Sequence, residues 1–259
     1  MTASTTCPPI SCAFNVQSLK NTTLVVPTVS TGNVPQLVAD LLVTSLVKDP
    51  KTQLALDRVG DLGHPYLLNI CGPDAYGVSG RISMPLEVYL DPLRKITVLQ
   101  QRTPIVQGYS AAFTQSLVDW IKTVGFARVL VVASSDAAFR TDTLIEGTPS
   151  FRVVTVPGEH AVPSDLVVKR LEPDFADGKL KGSSNLSHLL ASAKASLAPQ
   201  IPATALVVFT LEGDNLQDTL MTYQHLSKLL DLPANPRFPL SWQDLYGTNP
   251  STDTMREVY

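Results

Sequence analysis

The stretch Leu24–Leu46 constrains the fold of this chain more than any other part of its sequence. It opens with an apolar, partly β-branched run, Leu24-Val25-Val26, which is typical of a buried strand. A small polar loop containing Gly32 follows, and the apolar residues after it recur at near-helical spacing. Asn33 stands where a helix N-cap is expected, with Gln36 three residues later as its capping-box partner. A strand, a glycine-containing loop and a helix in this order predict the first half of a βαβ unit.

The second half of the chain repeats this arrangement. The runs Arg128–Ala133 and Ala205–Phe209 are apolar on both faces, as strands buried in a parallel sheet are. A loop with Gly213 follows the second run and leads into a helical pattern over Asn215–Leu230, for which Asp214 is the predicted N-cap. Three buried strands that alternate with capped helices predict an α/β fold, a layered α/β/α sandwich with a largely parallel central sheet.

An antiparallel hairpin is predicted beside this sheet. Apolar and polar residues alternate over Arg81–Leu90, which indicates a half-solvated strand near an edge, and Lys95–Gln101 returns as its partner. Further patterns predict a helix over Tyr109–Val124 that ends at Gly125, and a strand over Phe151–Val156.

The predicted organisation is one α/β domain over residues 1–247, because no shift in composition marks a second domain. Within it, the Pro-, Gly- and charge-rich segment 157–187 is expected to be a surface insertion that is partly disordered. Residues 248–259 are expected to form a flexible C-terminal tail, since their first part is polar and cannot bury enough apolar surface to become ordered.

Charge and composition exclude several classes of protein. A net charge of −3 offers no basic surface for nucleic acid. No apolar run reaches the roughly 18 residues that a membrane span needs, and the N-terminus has no basic region before an apolar core. The three cysteines, Cys7, Cys12 and Cys71, are odd in number and form no C-x-x-C pair, which favours a reducing compartment. A soluble, intracellular protein is therefore expected.

Polar residues follow each of the three buried strands and could gather at one edge of the sheet. Ligands of open α/β sheets bind beyond the carboxyl ends of the strands, so this set could hold a nucleoside or a sugar. An enzyme similar to nucleosidases or phosphorylases is the alternative function on this basis. The simpler interpretation is that these residues are helix caps and turn residues, and it is the one we favour. The set comprises Ser30, Thr31, Asn33, Ser134, Ser135, Asp136, Glu212, Asp214 and Asn215.

Familiar catalytic signatures are missing. The loop at Gly32 has one glycine and no Gly-Lys-Ser/Thr, so it does not predict a phosphate cradle. The run Gly77-Val78-Ser79-Gly80 begins like the Gly-x-Ser-x-Gly pattern of a nucleophile elbow. Arg81 follows where that pattern needs its last glycine. The four histidines are scattered and show no metal-ligand spacing. Trp242 lies in an irregular segment and is expected to pack that segment onto the body.

Several short runs occur in an order and spacing that match a known family. They are the opening run from Leu24 to Leu41, the run Glu212–Asn215 with its helix, and Ser241-Trp242 followed by Leu245-Tyr246-Gly247. Together they resemble the PAC2 family of proteasome assembly chaperones over nearly the whole chain. The insertion and the extreme ends lie outside the resemblance.

The resemblance implies a role that is not enzymatic and needs no cofactor or metal. It implies pairing with proteasome assembly chaperone 1, binding to the outer face of the 20S α-ring in the cytoplasm and nucleus, and protection from premature docking of regulatory particles. Some members of this chaperone pair insert a tail that ends in a hydrophobic residue, tyrosine and any residue between α subunits. Here Val258 and Tyr259 supply the first two positions, no residue follows in this sequence, and these two are the predicted tail contacts.

A third hypothesis needs no tail contact. The chain would then be a scaffold that binds its partner through an exposed face of the sheet or of a helix.

Overall fold

The computed structural model of the chain describes residues 7–46, 57–140, 145, 150–155, 168–171 and 180–242. The described helices are α1 (Val34–Ser45), α2 (Ser110–Val124), α3 (Leu186–Ser196) and α4 (Leu216–Leu230). The described strands are β1 (Ser11–Cys12), β2 (Thr23–Pro27), β3 (Asp57–Gly63), β4 (Gly72–Pro73), β5 (Ile82–Ser83), β6 (Leu86–Asp91), β7 (Ile96–Gln101), β8 (Arg128–Asp136), β9 (Phe151–Thr155), β10 (Lys169–Arg170) and β11 (Ala203–Thr210).

The central sheet is mixed, with its parallel strands in the middle. Nine of the described strands lie in the order β1-β3-β6-β7-β2-β8-β11-β9-β10, and β4 pairs with β5 in a separate small sheet. The neighbours β7, β2, β8 and β11 are parallel to one another, whereas β6 and β3 on one side and β9 on the other join antiparallel. The largely parallel centre with an attached antiparallel hairpin confirms the predicted fold class.

The helices cover both faces of this sheet. Side chains of β2 alternate between the two apolar cores: Leu24 and Val26 pack with α2 and α3, whereas Val25 packs with α1 and α4. A central strand must therefore be apolar on both faces, which explains the continuous apolar runs in the sequence. The layers are helix, sheet and helix, as predicted. In the described residues, no helix is both long and apolar enough to cross a membrane.

The pairing predicted for the hairpin is confirmed, but the solvent-exposed environment predicted for its first strand is wrong. Strand β6 pairs with β7 in the register Val88 to Leu99, as expected. However, all six residues of β6 are buried, because β3 pairs along its other side and α1 lies over the face that carries Glu87 and Tyr89. The alternating polar residues of this strand are therefore not solvated. Glu87 contacts Arg58 and Arg102, which are described below.

The segment 157–187 also differs from the expected surface insertion where the structure describes it. Strand β10 pairs in parallel with β9, and Leu171 is buried against Phe209. Further along, Ser183 is buried, and the backbone at Lys181 and Gly182 is hydrogen-bonded to the ends of central elements. The rest of the segment, residues 157–167 and 172–179, lies outside the described residues, as does the tail 248–259.

Candidate functional site

The polar residues at the carboxyl ends of the central strands do come together, but they bind one another. The Ser30 hydroxyl lies 2.8 Å from the Ser134 hydroxyl and accepts a hydrogen bond from the Ser134 N–H at 3.0 Å. Ser134 donates in turn to the Thr31 carbonyl oxygen. All three side chains are buried. Hydroxyl groups that are paired in this way connect the loop after β2 to the end of β8 and satisfy one another's hydrogen-bonding capacity.

A short piece of backbone covers this cluster. The Lys181 carbonyl oxygen accepts hydrogen bonds from the Ser135 hydroxyl at 2.8 Å and from the Asp136 N–H at 2.9 Å. The Gly182 carbonyl oxygen accepts from the Thr31 N–H at 3.0 Å. A side chain at Gly182 would overlap the Thr31 hydroxyl, so only glycine allows this close approach. The geometry therefore supports the structural interpretation of Ser30, Thr31, Ser134 and Ser135.

The predicted capping box at Asn33 and the predicted N-cap at Asp214 are both wrong. Asn33 is the residue before α1, but its φ of 54° is left-handed and its side chain makes no capping hydrogen bond. Gln36 donates its side-chain amide to the Gln101 carbonyl oxygen at 3.2 Å instead. At α4 the N-cap is Asn215, and the Asp214 side chain accepts a hydrogen bond from the Leu216 N–H at 3.1 Å. The sequence spacing located both helix starts and missed the side-chain roles.

Gly32 has the positive φ that its place before a helix suggests, and it touches the second loop of the same kind. Its φ is 69°, and a Cβ built there would lie 2.9 Å from Asn215 Cγ and overlap the side-chain amide. The Asn215 amide donates to the Gly32 carbonyl oxygen at 3.3 Å, and the Gly32 N–H donates to Glu212 at 3.2 Å. Gly213 differs, because a Cβ there would meet nothing within 4 Å.

This contact gives a prediction with a matched control. Gly32→Ala is expected to lower the free energy of unfolding by roughly 2–3 kcal/mol, from a left-handed backbone and from overlap with Asn215. Gly80 also has a positive φ, 77°, but a Cβ there meets nothing within 4 Å, so Gly80→Ala should cost only the backbone part, about 1 kcal/mol. Urea unfolding of both variants measures the difference. Equal losses would show that the Asn215 contact is not needed.

A second cluster, which the sequence did not suggest, is a buried network of charges between α1, β3, β6 and the end of β7. The Arg102 guanidinium binds Asp40 at 3.0 Å and Glu87 at 3.2 Å. Glu87 also binds Arg58 at 3.2 Å, and Arg58 binds Asp61. The Asp40 carboxylate accepts further hydrogen bonds from Tyr76 at 2.6 Å and from Gln100 at 2.7 Å. We call these residues the charge network.

The charges of the network depend on one another. Burial raises the pKa of the Glu87 carboxyl, and Arg102 and Arg58 limit that rise. Burial opposes the charge of Arg102, but Asp40, Tyr76 and Glu87 outweigh it and raise the pKa of the guanidinium. Both groups are thus stable as ions only because each neighbours an opposite charge. Either charge alone would be costly in this position.

The network holds one long connection against the sheet. Residues 64–85, which we call the excursion, leave the sheet after β3 and return at β6. Its residue Tyr76 donates to Asp40, its Met84 N–H donates to Glu87 at 3.1 Å, and Arg58 donates to its Ile82 carbonyl oxygen at 2.7 Å. The charge network therefore fixes the excursion at three points. Among the described residues, no three His, Cys, Asp or Glu side chains form a potential metal site.

The excursion has an unusual surface. Leu68, Ile70 and Ile82 are 40%, 60% and 55% exposed. Between its strand β4 and the residues after β7 lies a cavity of about 440 Å³. Of these three side chains, Ile70 lines the cavity.

The structure describes Trp242 but not the two predicted tail contacts. Trp242 is 1% exposed, packs with the core between α1 and α4, and its ring lies 5.8 Å from that of Phe238. Trp242 therefore packs the final described segment onto the body, which is the role expected from its place in the sequence. Val258 and Tyr259 lie outside the described residues, so their predicted contact with the α-ring stays a prediction.

Comparison with known proteins identifies a family that matches most of the chain. The PAC2 family model matches residues 24–241. A Nematostella vectensis protein named proteasome assembly chaperone 2 is 29% identical over 241 residues, covering 86% of this chain and 96% of that protein. The Homo sapiens protein of the same name is 28% identical over 267 residues, covering 92% of this chain and 97% of that protein.

A solved structure agrees with the fold. The crystal structure of Pyrococcus furiosus PbaA, described as an archaeal homolog of proteasome-assembly chaperone, superposes with a TM-score of 0.59 at 19% sequence identity. The match covers 87% of each chain. At this identity it bears on the fold alone. With a family match that spans both strand–loop–helix units and Ser241, the chain belongs to the PAC2 family.

Proposed function

We propose that this chain is a proteasome assembly chaperone subunit and not an enzyme. The observation that carries the proposal is the family match over residues 24–241, together with relatives named proteasome assembly chaperone 2 that align over nearly their whole length. The paired hydroxyl groups at the strand ends are consistent with it, because they bind each other and the backbone.

The finer parts of the proposal concern partners. The chain pairs with proteasome assembly chaperone 1, and the heterodimer binds α subunits of the 20S ring, promotes ring assembly and hinders premature docking of regulators. It acts in the cytoplasm and nucleus. Residues 248–259 could reach about 40 Å when extended, which is enough to cross from the folded body to a ring surface. Val258 and Tyr259 supply an apolar side chain and an aromatic ring for that contact.

The test uses the heterodimer and purified 20S particles. Val258→Ala/Tyr259→Ala is expected to leave the heterodimer intact on size-exclusion chromatography but to weaken its binding to 20S particles about tenfold, as loss of one anchoring ring would. The control variant Thr252→Ala/Asp253→Ala changes the same tail without removing an apolar group and should bind as the unsubstituted chain does.

The possible outcomes separate the hypotheses. A chain that forms no complex with proteasome assembly chaperone 1 and no complex with 20S particles would contradict the proposed function. Unchanged affinity of the doubly substituted heterodimer would contradict the tail contact alone. The contact would then lie on the folded body, as the scaffold hypothesis has it.

A further inference from the structure

The outer edge of β3 is covered by residues 7–14, which we call the strap. Its strand β1 pairs antiparallel with the end of β3, with Ser11 opposite Gly63, and lies at the edge of the nine-stranded sheet. The Ser11 hydroxyl donates to the Gly63 carbonyl oxygen at 3.1 Å. A ladder of two residues contributes little stability on its own, so the strap depends on its other contacts.

Two side chains hold the first half of the strap through one atom. The Pro8 carbonyl oxygen accepts a hydrogen bond from the Ser116 hydroxyl of α2 at 2.7 Å and lies 3.1 Å from His64 Nε2. The Tyr66 N–H donates to His64 Nδ1 at 3.2 Å. A neutral imidazole has one donor and one acceptor nitrogen, so these partners assign the proton to Nε2, which donates to Pro8.

The second half of the strap lies on a position of β3 that has no side chain. A Cβ built at Gly60 would lie 2.9 Å from Phe14 Cγ, so the phenylalanine ring rests directly on the backbone of β3. The Phe14 and Ile10 side chains also pack against the core. Apolar and hydroxyl contacts of this kind carry no charge between pH 5 and 8, whereas histidine changes its charge there.

The His64 ring cannot take a second proton where it lies. The residue is 9% exposed, and the ring centroid lies 5.1 Å from those of Tyr66 and Phe113. A proton added at Nδ1 would face the Tyr66 N–H, so two donors would be directed at each other. Burial lowers the pKa of His64, and the hydrogen bond to the Pro8 carbonyl opposes that shift.

The polar groups around the ring are already bound elsewhere. From α2, the Ser116 hydroxyl is directed at Pro8. From β3, Asp61 lines the same cavity of about 320 Å³ as His64, and its carboxylate binds Arg58. Asp61 is the one charged side chain in the described lining of that cavity. The carboxylate nearest to hand is thus neutralised by an arginine and leaves an imidazolium in this place uncompensated.

We propose that the strap is a releasable cover of the sheet edge and that His64 is its pH-dependent catch. At neutral pH the uncharged ring donates to Pro8 and holds the strap closed. Protonation requires the ring to leave its place, and the hydrogen bond to Pro8 is lost with it. Release uncovers the ladder groups of β3 opposite the strap, which are then able to pair with another strand. The catch involves no contact with the proteasome, so it stands or fails separately from the proposed function.

The direction of the pH dependence follows from proton binding. The closed form excludes a proton from His64, whereas a released imidazole has an ordinary pKa near 6.5. The open form therefore binds more protons, and closure weakens as the pH falls below about 6.5. Opening should be about tenfold more favourable at pH 5.5 than at pH 7.5.

Hydrogen exchange of the full chain at these two pH values, read by mass spectrometry of its peptides, measures the opening. After correction for the pH dependence of intrinsic exchange, the peptide that contains residues 7–14 should lose about tenfold in protection at pH 5.5. Peptides from β8 are the internal control, because a central strand exchanges chiefly through larger openings, and they should keep their protection.

Two variants with the same substitution assign the effect to one histidine. His64→Phe keeps an aromatic ring but neither donates to Pro8 nor binds a proton. Its strap should be less protected than in the unsubstituted chain at pH 7.5 and should show the same protection at pH 5.5. His225→Phe changes a histidine on α4 whose Nδ1 contacts the Met221 carbonyl oxygen, and it should retain the tenfold loss in the strap.

Three results would overturn the proposal. The first is equal strap protection at both pH values in the unsubstituted chain. The second is a tenfold loss that persists in His64→Phe, which would assign the titration to another group. The third is an equal loss in the β8 peptides, which would assign it to unfolding of the whole sheet. NMR titration of the His64 ring in the unsubstituted chain is an independent check, and a pKa at or above the ordinary value of about 6.5 would also contradict the catch.

Discussion

Arg102→Met is expected to lower the free energy of unfolding by about 3 kcal/mol, because it leaves Asp40 and Glu87 without their shared cation. Breaking a buried ion pair by removing one partner typically costs 3–5 kcal/mol. The lower end applies here, since the Arg102 side chain is 21% exposed and Arg58 remains on Glu87. Methionine retains much of the apolar stem of arginine, so the loss reports on charge more than on packing.

Urea unfolding at pH 7 measures this loss, and acidification tests its cause. Burial already raises the pKa of Glu87, and removal of Arg102 must raise it further. Between the pKa of an unfolded glutamate and this raised pKa, the folded variant binds more protons than the unfolded one, so its stability rises as the pH falls. The difference between the unsubstituted chain and Arg102→Met should therefore shrink between pH 7 and about pH 5.

Arg170→Met is the matched control, because Arg170 is an exposed arginine on the edge strand β10. It should change stability by no more than about 0.5 kcal/mol. A loss for Arg102→Met no greater than that of the control would contradict the structural importance of the network. A large loss that is independent of pH would attribute the effect to packing.

Trp242→Ala is expected to cost about 3–5 kcal/mol, the usual range when a buried tryptophan is truncated. The indole fills a space between α1, α4 and Phe238, and little of the surrounding core can collapse into it. Leu240→Ala is the control two residues earlier, since Leu240 is 44% exposed and should cost under about 1 kcal/mol. Thermal or urea unfolding compares the two variants.

Proteolysis gives a second, local measure of the Trp242 prediction. The backbone at Arg237 is held by Thr44, whose hydroxyl donates to its carbonyl oxygen at 2.5 Å, and by Ser45, whose hydroxyl oxygen accepts from its N–H at 2.7 Å. If Trp242 anchors this segment, Trp242→Ala should make native-state tryptic cleavage after Arg237 faster. Unchanged stability together with unchanged cleavage would show that the segment is held by its other contacts.

The charge network and the cavity both lie at the excursion and not at the strand ends. The strand-end hydroxyl groups are paired with each other, whereas the excursion has exposed apolar side chains and partly unpaired polar groups. Arg102 belongs to both features, because it binds Asp40 and Glu87 and also lines the cavity.

The sequence was sufficient for the elements whose pattern is local. The runs that became β2, β8 and β11 are apolar on both faces, and only a strand covered by helices on both sides requires this. Helices α2 and α4 follow from helical spacing, and α2 ends at Gly125 in the left-handed conformation that a C-terminal glycine provides. In each case the residues that encode the element lie within the element.

The helix caps were misjudged because a spacing shows only which side chains could reach a helix start. At Asn33 the backbone is left-handed, and the adjacent Gly32 is fitted against Asn215, which comes 183 positions later. The orientation of the loop at Gly32 is thus set by the loop that precedes α4. No pattern confined to residues 30–36 contains that information.

By itself, the sequence determined the fold class, the helices and the family, because apolar periodicity and short ordered runs are properties of neighbouring residues. Only the tertiary structure decided that Glu87 is buried, since β3 and α1 cover the face that alternation assigned to solvent. The same holds for Arg102, which meets Asp40 across 62 positions and Glu87 across 15. Burial makes these charges dependent on one another, and burial is a property of the packed layers rather than of any stretch of the chain.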